Sequence, residues 1–323
     1  MDGYKIQSKE QFLNNILECS EELLKDTLDN KKDAYCYYEK KKKNGLRGIY
    51  AINKNHYLHR IQVNLQTSFF LNILFPECVC GFRKRKSYYS FLLPHVSNNN
   101  RRYYLRLDIS DFFGSIQIDD IESALGYYFS EEMPIEDKEW VIKTIIDIST
   151  SDMKVIQGAV TSPTLSNLVF RFMDIRIERY CKKMGITYTR YADDMLFSSS
   201  SSYIHNYRFQ NLINNIISEK GFTINKNKTL KFKDEISLNG YVIGRDIRLS
   251  RKKLKSLNRI IYDLKRSSFK GFSNRKNKYK TKNKLAGYRA FLIQSLPYLN
   301  KERSDQVKSK IKDIETLIKK YCC

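Results

Sequence analysis

Acidic residues, histidines and long apolar runs are scarce in this 323-residue chain, and each shortage removes a class of function. No stretch approaches the roughly 18 consecutive apolar residues of a membrane span. The opening MDGYKIQSKE lacks the apolar core of a secretion signal. The expectation is a soluble, cytoplasmic protein with no membrane partner. Only His56, His59, His95 and His205 occur, and they form no metal-binding or nuclease-like cluster. The seven cysteines (Cys19, Cys36, Cys78, Cys80, Cys181, Cys322, Cys323) are odd in number and contain no C-x-x-C pair. Neither a disulfide framework nor a zinc site is supported. Asp and Glu total 35 against 58 Lys and Arg, leaving a formal charge of +23. Such a surplus repels itself unless a polyanion is the working partner, which points to nucleic acid. A/T-rich codon bias is the competing explanation, but it would raise glutamate as well as lysine. Hydrophobic residues make up 41% and aromatics 13%, so the chain is neither disordered nor fibrous.

Along the chain, residues 8–28 read as an amphipathic helix with Ser8 and Gln11 as a capping box. KKKNGLRGIYAI reads as a hairpin turning at Asn44-Gly45. Asn98–Asn100 and Arg101-Arg102 mark a break before the strand YYLRLDI. The span 162–184 is the clearest helix, with Ser162 as N-cap, Pro163 in its first position and Gly185 after its end. A strand pair around YADD follows, then a helix over about 204–220 closed by Gly221, then short strands to Leu249. From Ser250 onward the pattern is helical and very basic. No internal repeat or long linker interrupts it.

The sharpest local feature is YTRYADDMLF, residues 188–197. β-formers flank two adjacent acids, the pattern of strand, tight turn, strand. An ordinary acidic hairpin tip is one reading, but adjacent carboxylates between apolar strands repel each other and need a cation. LRLDISDFF places Asp108 at the end of another apolar strand. Magnesium prefers hard oxygen ligands, and two such ions can activate a 3′-hydroxyl and stabilise a pyrophosphate leaving group together. Asp108 with Asp193 and Asp194 is the smallest set of acids for that arrangement.

Five blocks in order, LDISDFFGSI (107–116), QGAVTSPTLSNLVF (157–170), YTRYADDMLF (188–197), GFTINKNKT (221–229) and LNGYVIG (238–244), resemble the reverse transcriptases of bacterial retrons and their defence-associated relatives. The resemblance extends upstream through Arg47 and CGFRKRKSYYSFLLPH (80–95). It implies an α+β right-hand polymerase with fingers at about 1–105, a palm with an antiparallel sheet over about 106–245, and a basic helical thumb over 246–323. The implied activity is RNA-directed DNA synthesis from deoxynucleoside triphosphates with two magnesium ions. In that scheme Asp108 and Asp193 bridge the metals, Asp194 completes the set and the Ile109 carbonyl also ligates. Gln157 and Gly158 lie over the incoming nucleotide, Arg47 and Lys43 meet its triphosphate, and Lys228 donates a proton to pyrophosphate. Arg47 and Lys228 read equally well as solvated charges. Phe113 is the implied sugar gate against a 2′-hydroxyl, with Phe112 in the core; both Phe in the core is the plainer alternative.

Retron enzymes usually carry Asn-Ala-x-x-His where this chain has FLLPH, and Val-Thr-Gly where it has Leu238-Asn239-Gly240. These departures, and the basic cluster Arg83, Lys84, Arg85 and Lys86 beside His95, are expected to dock a structured noncoding RNA template. Between Lys265 and Lys284 nine Lys or Arg occur with no acid, interleaved with Phe269, Phe272 and Tyr279. Lys276, Lys278, Lys280 and Lys282 in that run are expected to grip the template–primer backbone, unless the run is a solvated loop. The partners implied are the template RNA, an RNA–DNA hybrid product and an effector protein, and the implied role is antiviral defence. A catalytically idle RNA-binding scaffold, a general-purpose reverse transcriptase and an RNA-templated RNA polymerase are the rivals. Phe113 argues against the last.

Overall fold

Ser8 starts the first helix, α1 (Lys9–Gln11), its hydroxyl accepting from the Gln11 amide at 3.0 Å. The Gln11 side chain accepts in return from the Gln7 amide at 2.8 Å, a capping box shifted by one residue on its return arm. The computed structural model describes residues 4–42, 45–97, 101–152, 154–266 and 275–322; within these, the side chains at 40, 42, 46, 47, 275–277, 321 and 322 lie outside the description. The single helix expected over 8–28 is broken. A π-helical run over Phe12–Leu17 buries Phe12, Leu13, Ile16 and Leu17, and Glu18 turns at φ +54°. A new helix, α2 (Glu21–Asp29), then starts behind a Ser20 cap.

β1 (Tyr35–Lys42) and β2 (Gly45–Ile52) pair antiparallel with Lys42 opposite Gly45. Gly45 therefore opens the strand rather than sitting in the turn, and Lys43 and Asn44 lie outside the described residues. α3 (Tyr57–Ser68) and α4 (Tyr88–Leu92) precede β3 (Tyr103–Asp108), the strand expected from YYLRLDI. Next come α5 (Ile118–Leu125), α6 (Ile135–Ser149) and the two-residue strands β4 (Thr150–Ser151) and β5 (Lys154–Val155). The long α7 (Ser162–Lys183) begins one residue earlier than its cap pattern implies. Thr161 takes the cap position, and the buried Thr161 and Ser162 hydroxyls find no partner. Gly185 follows the helix at φ +63°. The chain continues through β6 (Thr187–Tyr191), β7 (Asp194–Ser199), α8 (Tyr207–Ser218) and β8 (Leu230–Lys233). It ends with β9 (Ile236–Leu238), β10 (Tyr241–Ile243), β11 (Ile247–Leu249), α9 (Arg251–Lys265), α10 (Arg275–Ser295) and α11 (Lys301–Cys322).

The main sheet has the order β6-β7-β3-β8, and β7 is buried along its whole length, as a strand covered on both faces must be. Two compact units emerge: residues 1–91, 105–197 and 203–230 form the first, and residues 92–104, 198–202 and 231–323 the second. Phe112, Phe170 and Phe222 form a core of the first, with ring centroids 5.2 to 5.8 Å apart. Phe170 is wholly buried, so truncating it to Ala would cost about 3–5 kcal/mol. In the second unit β11-β10-β9 form a three-stranded antiparallel sheet. Asn239 (φ +47°) and Gly240 (φ +83°) make the two-residue turn between β9 and β10. That turn wants positive φ at both positions, which Asn-Gly tolerates best. Among the described residues no helix is long and apolar enough to cross a membrane.

Candidate active site

β3 delivers Asp108 at its C-terminal end, and the β6–β7 hairpin turns through Ala192 and Asp193, Ala192 at φ +56°. This is the strand–turn–strand that YADD implied. The Ile109 amide donates to the Asp193 carbonyl at 2.9 Å, which ties the end of β3 to the turn. From the other side the Asn225 amide donates to the Asp108 carbonyl at 2.7 Å. Backbone pairing alone thus sets the end of β3, with Asp108, beside the turn that carries Asp193 and Asp194. Gly81 packs under the turn, where a Cβ would stand 2.6 Å from the Ala192 nitrogen, so only glycine fits.

Asp108 and Asp194 are 2% and 8% exposed, and buried carboxylates need partners. Arg106 lies two residues before Asp108 on the same face of β3. Its Nε donates to Asp194 Oδ1 at 2.8 Å, and one terminal nitrogen touches both Asp194 and, at 3.4 Å, Asp108. Lys228 Nζ donates to Asp108 Oδ2 at 2.9 Å and Oδ1 at 3.2 Å. Burial pushes the Asp194 carboxyl above the ordinary aspartate value, and Arg106 works against that rise. Among the described residues no three acid, histidine or cysteine side chains are gathered to hold an ion directly. The donor set nevertheless fits a hard divalent cation, because a cationic guanidinium already bridges two of the three carboxylates.

Sequence reasoning missed Arg106 and also the support beneath the hairpin. Arg190 of β6 and Asp174 of α7 are both fully buried. Their contacts run at 2.6 to 3.1 Å, and Arg190 also donates to the Ala192 carbonyl at 3.0 Å and to Asn167 Oδ1 at 3.1 Å. Asn167 in turn donates to the Gly81 carbonyl at 2.9 Å, and Tyr188 donates to Asp174 at 2.8 Å. The signal was present in the sequence: one Arg inside an apolar strand and one Asp on the apolar face of a helix.

The remaining candidates divide. Phe112 is core, while half-buried Phe113 faces Phe82 at 6.2 Å. They separate because residues 110–115 form a turn, with Asp111 at φ +38°. Gly158 does permit a close backbone approach, but of the Tyr50 carbonyl, 1.7 Å from where its Cβ would be. Arg47 sits on β2 opposite Lys40, its side chain outside the described residues. His95 is corrected outright as an RNA contact: it is fully buried, with Nδ1 2.7 Å from Ser198 Oγ. Burial holds its imidazole well below the ordinary 6.5, and Arg102 adds to this. Within the neighbouring basic cluster, Arg83 donates to the Pro76 and Val79 carbonyls and Lys86 pairs with Glu77, while Lys84 and Arg85 are exposed. Leu238 is buried, leaving Asn239 exposed on that turn. Lys278 and Lys280 are exposed and Lys282 is half-buried on α10; the Lys276 side chain, Phe269 and Phe272 lie outside the described residues.

The chain is 36% identical over 167 residues to the Retron Ec73 reverse transcriptase of Escherichia coli, a match covering 50% of this chain and 51% of that protein. It is 32% identical over 164 residues to the Retron Mx65 reverse transcriptase of Myxococcus xanthus, covering 46% of this chain and 36% of the relative. The match to the Retron Ec86 reverse transcriptase of Escherichia coli is 28% over 190 residues, 57% of this chain and 55% of that one. The chain thus spans about half the length, or less, of these relatives. Among solved structures, a Candida tropicalis telomerase in complex with a TWJ fragment of telomeric RNA superposes with a TM-score of 0.50 at 11% identity, covering 92% of this chain and 56% of that chain. Helices with antiparallel sheets in this arrangement make the fold the α+β right-hand polymerase that the sequence implied. The family described as "Reverse transcriptase (RNA-dependent DNA polymerase)" matches residues 39–243. With Asp108, Gly158 and the Asp193-Asp194 turn all inside that span, the chain belongs to the reverse transcriptase family.

Proposed function

We propose that this protein is an RNA-directed DNA polymerase that copies a structured noncoding RNA from deoxynucleoside triphosphates. The observation that carries the reading is the hydrogen bond from Ile109 to Asp193, which sets the end of β3 against the YADD turn. Bound there by Asp108, Asp193, Asp194 and the Ile109 carbonyl, two magnesium ions would activate a 3′-hydroxyl and neutralise the departing pyrophosphate. Arg106 and Lys228 hold the buried carboxylates in place. Lys228 would also give a proton to pyrophosphate, a reading supported by its side chain being 56% exposed. Phe113, propped by Phe82, closes the space a 2′-hydroxyl would need, while Arg47 and Gln157-Gly158 serve the nucleotide. Residues 1–105 act as fingers, 106–245 as palm and 246–323 as thumb, with Lys276 to Lys282 on the hybrid product. The retron relatives support a dedicated RNA template. Antiviral defence, an effector protein and a cytoplasmic setting rest on the same resemblance.

The ion pairs that Arg106 and Lys228 make with the acids favour one other reading, an idle palm kept as an RNA-binding scaffold. Changing Asp193 and Asp194 to Asn separates the two. Polymerisation of a primed RNA template should vanish while RNA binding persists; equal extension by the double variant and the parent refutes the assignment.

A further inference from the structure

α7 and α8 leave an open groove of about 770 Å³ between them in the first unit, lined by none of the catalytic acids. α7 presents Arg176, Arg179 and Lys183 at i, i+3 and i+7, one helix face about 10 Å long at ~1.5 Å per residue. α8 presents Tyr207 and Arg208 from its first turn. Arg176 is committed to Glu219 through two contacts, one of 2.8 Å. Arg179, Lys183 and Arg208 are exposed, and among the described residues their side chains make no ion pair or hydrogen bond. Tyr207 beside them is 74% exposed.

Three uncompensated cations along one groove call for a polyanion rather than a single anion, because they are strung out along two helices and not aimed at a point. An acidic protein surface would satisfy the charges but would make no specific use of an outward-standing ring. A nucleic acid strand answers both features, phosphates to the cations and an unpaired base to the ring. We propose that the α7–α8 groove is an RNA-binding surface separate from the catalytic acids. It takes the phosphate backbone of a folded RNA on Arg179, Lys183 and Arg208, with Tyr207 stacked on an unpaired base. This deepens the reading of a dedicated RNA partner and rests on it. It also supplies a docking surface where the buried His95 does not.

The test uses the full chain and an RNA stem-loop with a single-stranded tail, bound in EDTA so that no synthesis occurs. Replacing Arg179, Lys183 and Arg208 together with Gln should weaken binding roughly tenfold or more. It should also flatten the dependence of log K on log salt by about two to three units, near 0.7–0.9 per lost phosphate contact. Tyr207→Ala should weaken binding of the tailed RNA by roughly fivefold or more, leaving the salt slope and the binding of a tail-less stem-loop unchanged. Extension of a short pre-annealed primer–template should stay at the parent rate in both variants. The control removes equal charge at the exposed Lys25, Lys32 and Lys143. An unchanged slope in the groove variant, or an equal drop in the control, overturns the proposal. A parent protein that binds the stem-loop but extends nothing refutes the polymerase reading and leaves this measurement to stand on its own.

Discussion

Arg190 and Asp174 meet in a fully buried ion pair, and the same guanidinium holds the carbonyl of Ala192 at the start of the YADD turn. Asp174→Ala would strand that charge without a counter-ion and should destabilise the fold by about 3–5 kcal/mol. The double change Asp174→Leu with Arg190→Met, apolar on both sides, should cost less than the single one. Urea unfolding reads both. A loss under about 1 kcal/mol for Asp174→Ala would mean that the hairpin does not depend on the pair.

Arg106 stands between Asp108 and Asp194, and an ion held by both carboxylates, as proposed, would have to displace it. Arg106→Gln should therefore lower the magnesium concentration for half-maximal extension by roughly tenfold. A charge-assisted hydrogen bond worth about 1.5–3 kcal/mol would no longer compete. Metal-free stability should fall at the same time, because two buried carboxylates lose their shared cation. An unaltered magnesium titration would show that Arg106 does not compete with metal.

Phe113 rests on Phe82, which is 39% exposed and held at φ +58°. Phe113→Ala should admit ribonucleotides, and Phe82→Ala should do so more weakly by letting Phe113 swing. Incorporation ratios for matched deoxyribo- and ribonucleotides measure this. Unchanged discrimination in folded variants would assign both rings to packing.

His95 gives the protein an acid limit. Its imidazole is held well below 6.5 in the folded state, so the unfolded chain binds a proton that the native chain refuses. Stability from this group is complete above pH 6.5 and falls as pH drops below it, by up to about 1.4 kcal/mol per pH unit. His95→Asn should flatten that slope in unfolding measurements between pH 5 and 7, whatever its overall cost. A slope equal to the parent's would place the acid sensitivity in other groups.

Charge, the ordered blocks and the acids of Asp108 and YADD were legible as sequence because they are local: turn chemistry, strand propensity and spacing need no neighbours. So was α7, to within one residue. The break at Glu18 was hidden because the apolar residues of 8–28 suit one helix as well as two. The Asn239-Gly240 hairpin was legible as a turn signal but passed over as a departure from a motif. Which side chain answers which charge could not be read at all. Arg106 on Asp194, Lys228 on Asp108 and Arg190 on Asp174 join positions 88, 120 and 16 residues apart. His95 looked like a surface contact for RNA and is interior, since a titratable ring is exposed or buried only by what packs over it. The sequence by itself determined the chemistry the protein carries, as residue types and their order along strands and turns. The tertiary structure alone decided which charges are buried and compensated and which, in the groove between α7 and α8, are left facing outward, because burial and charge pairing are properties of packed surfaces and not of chain order.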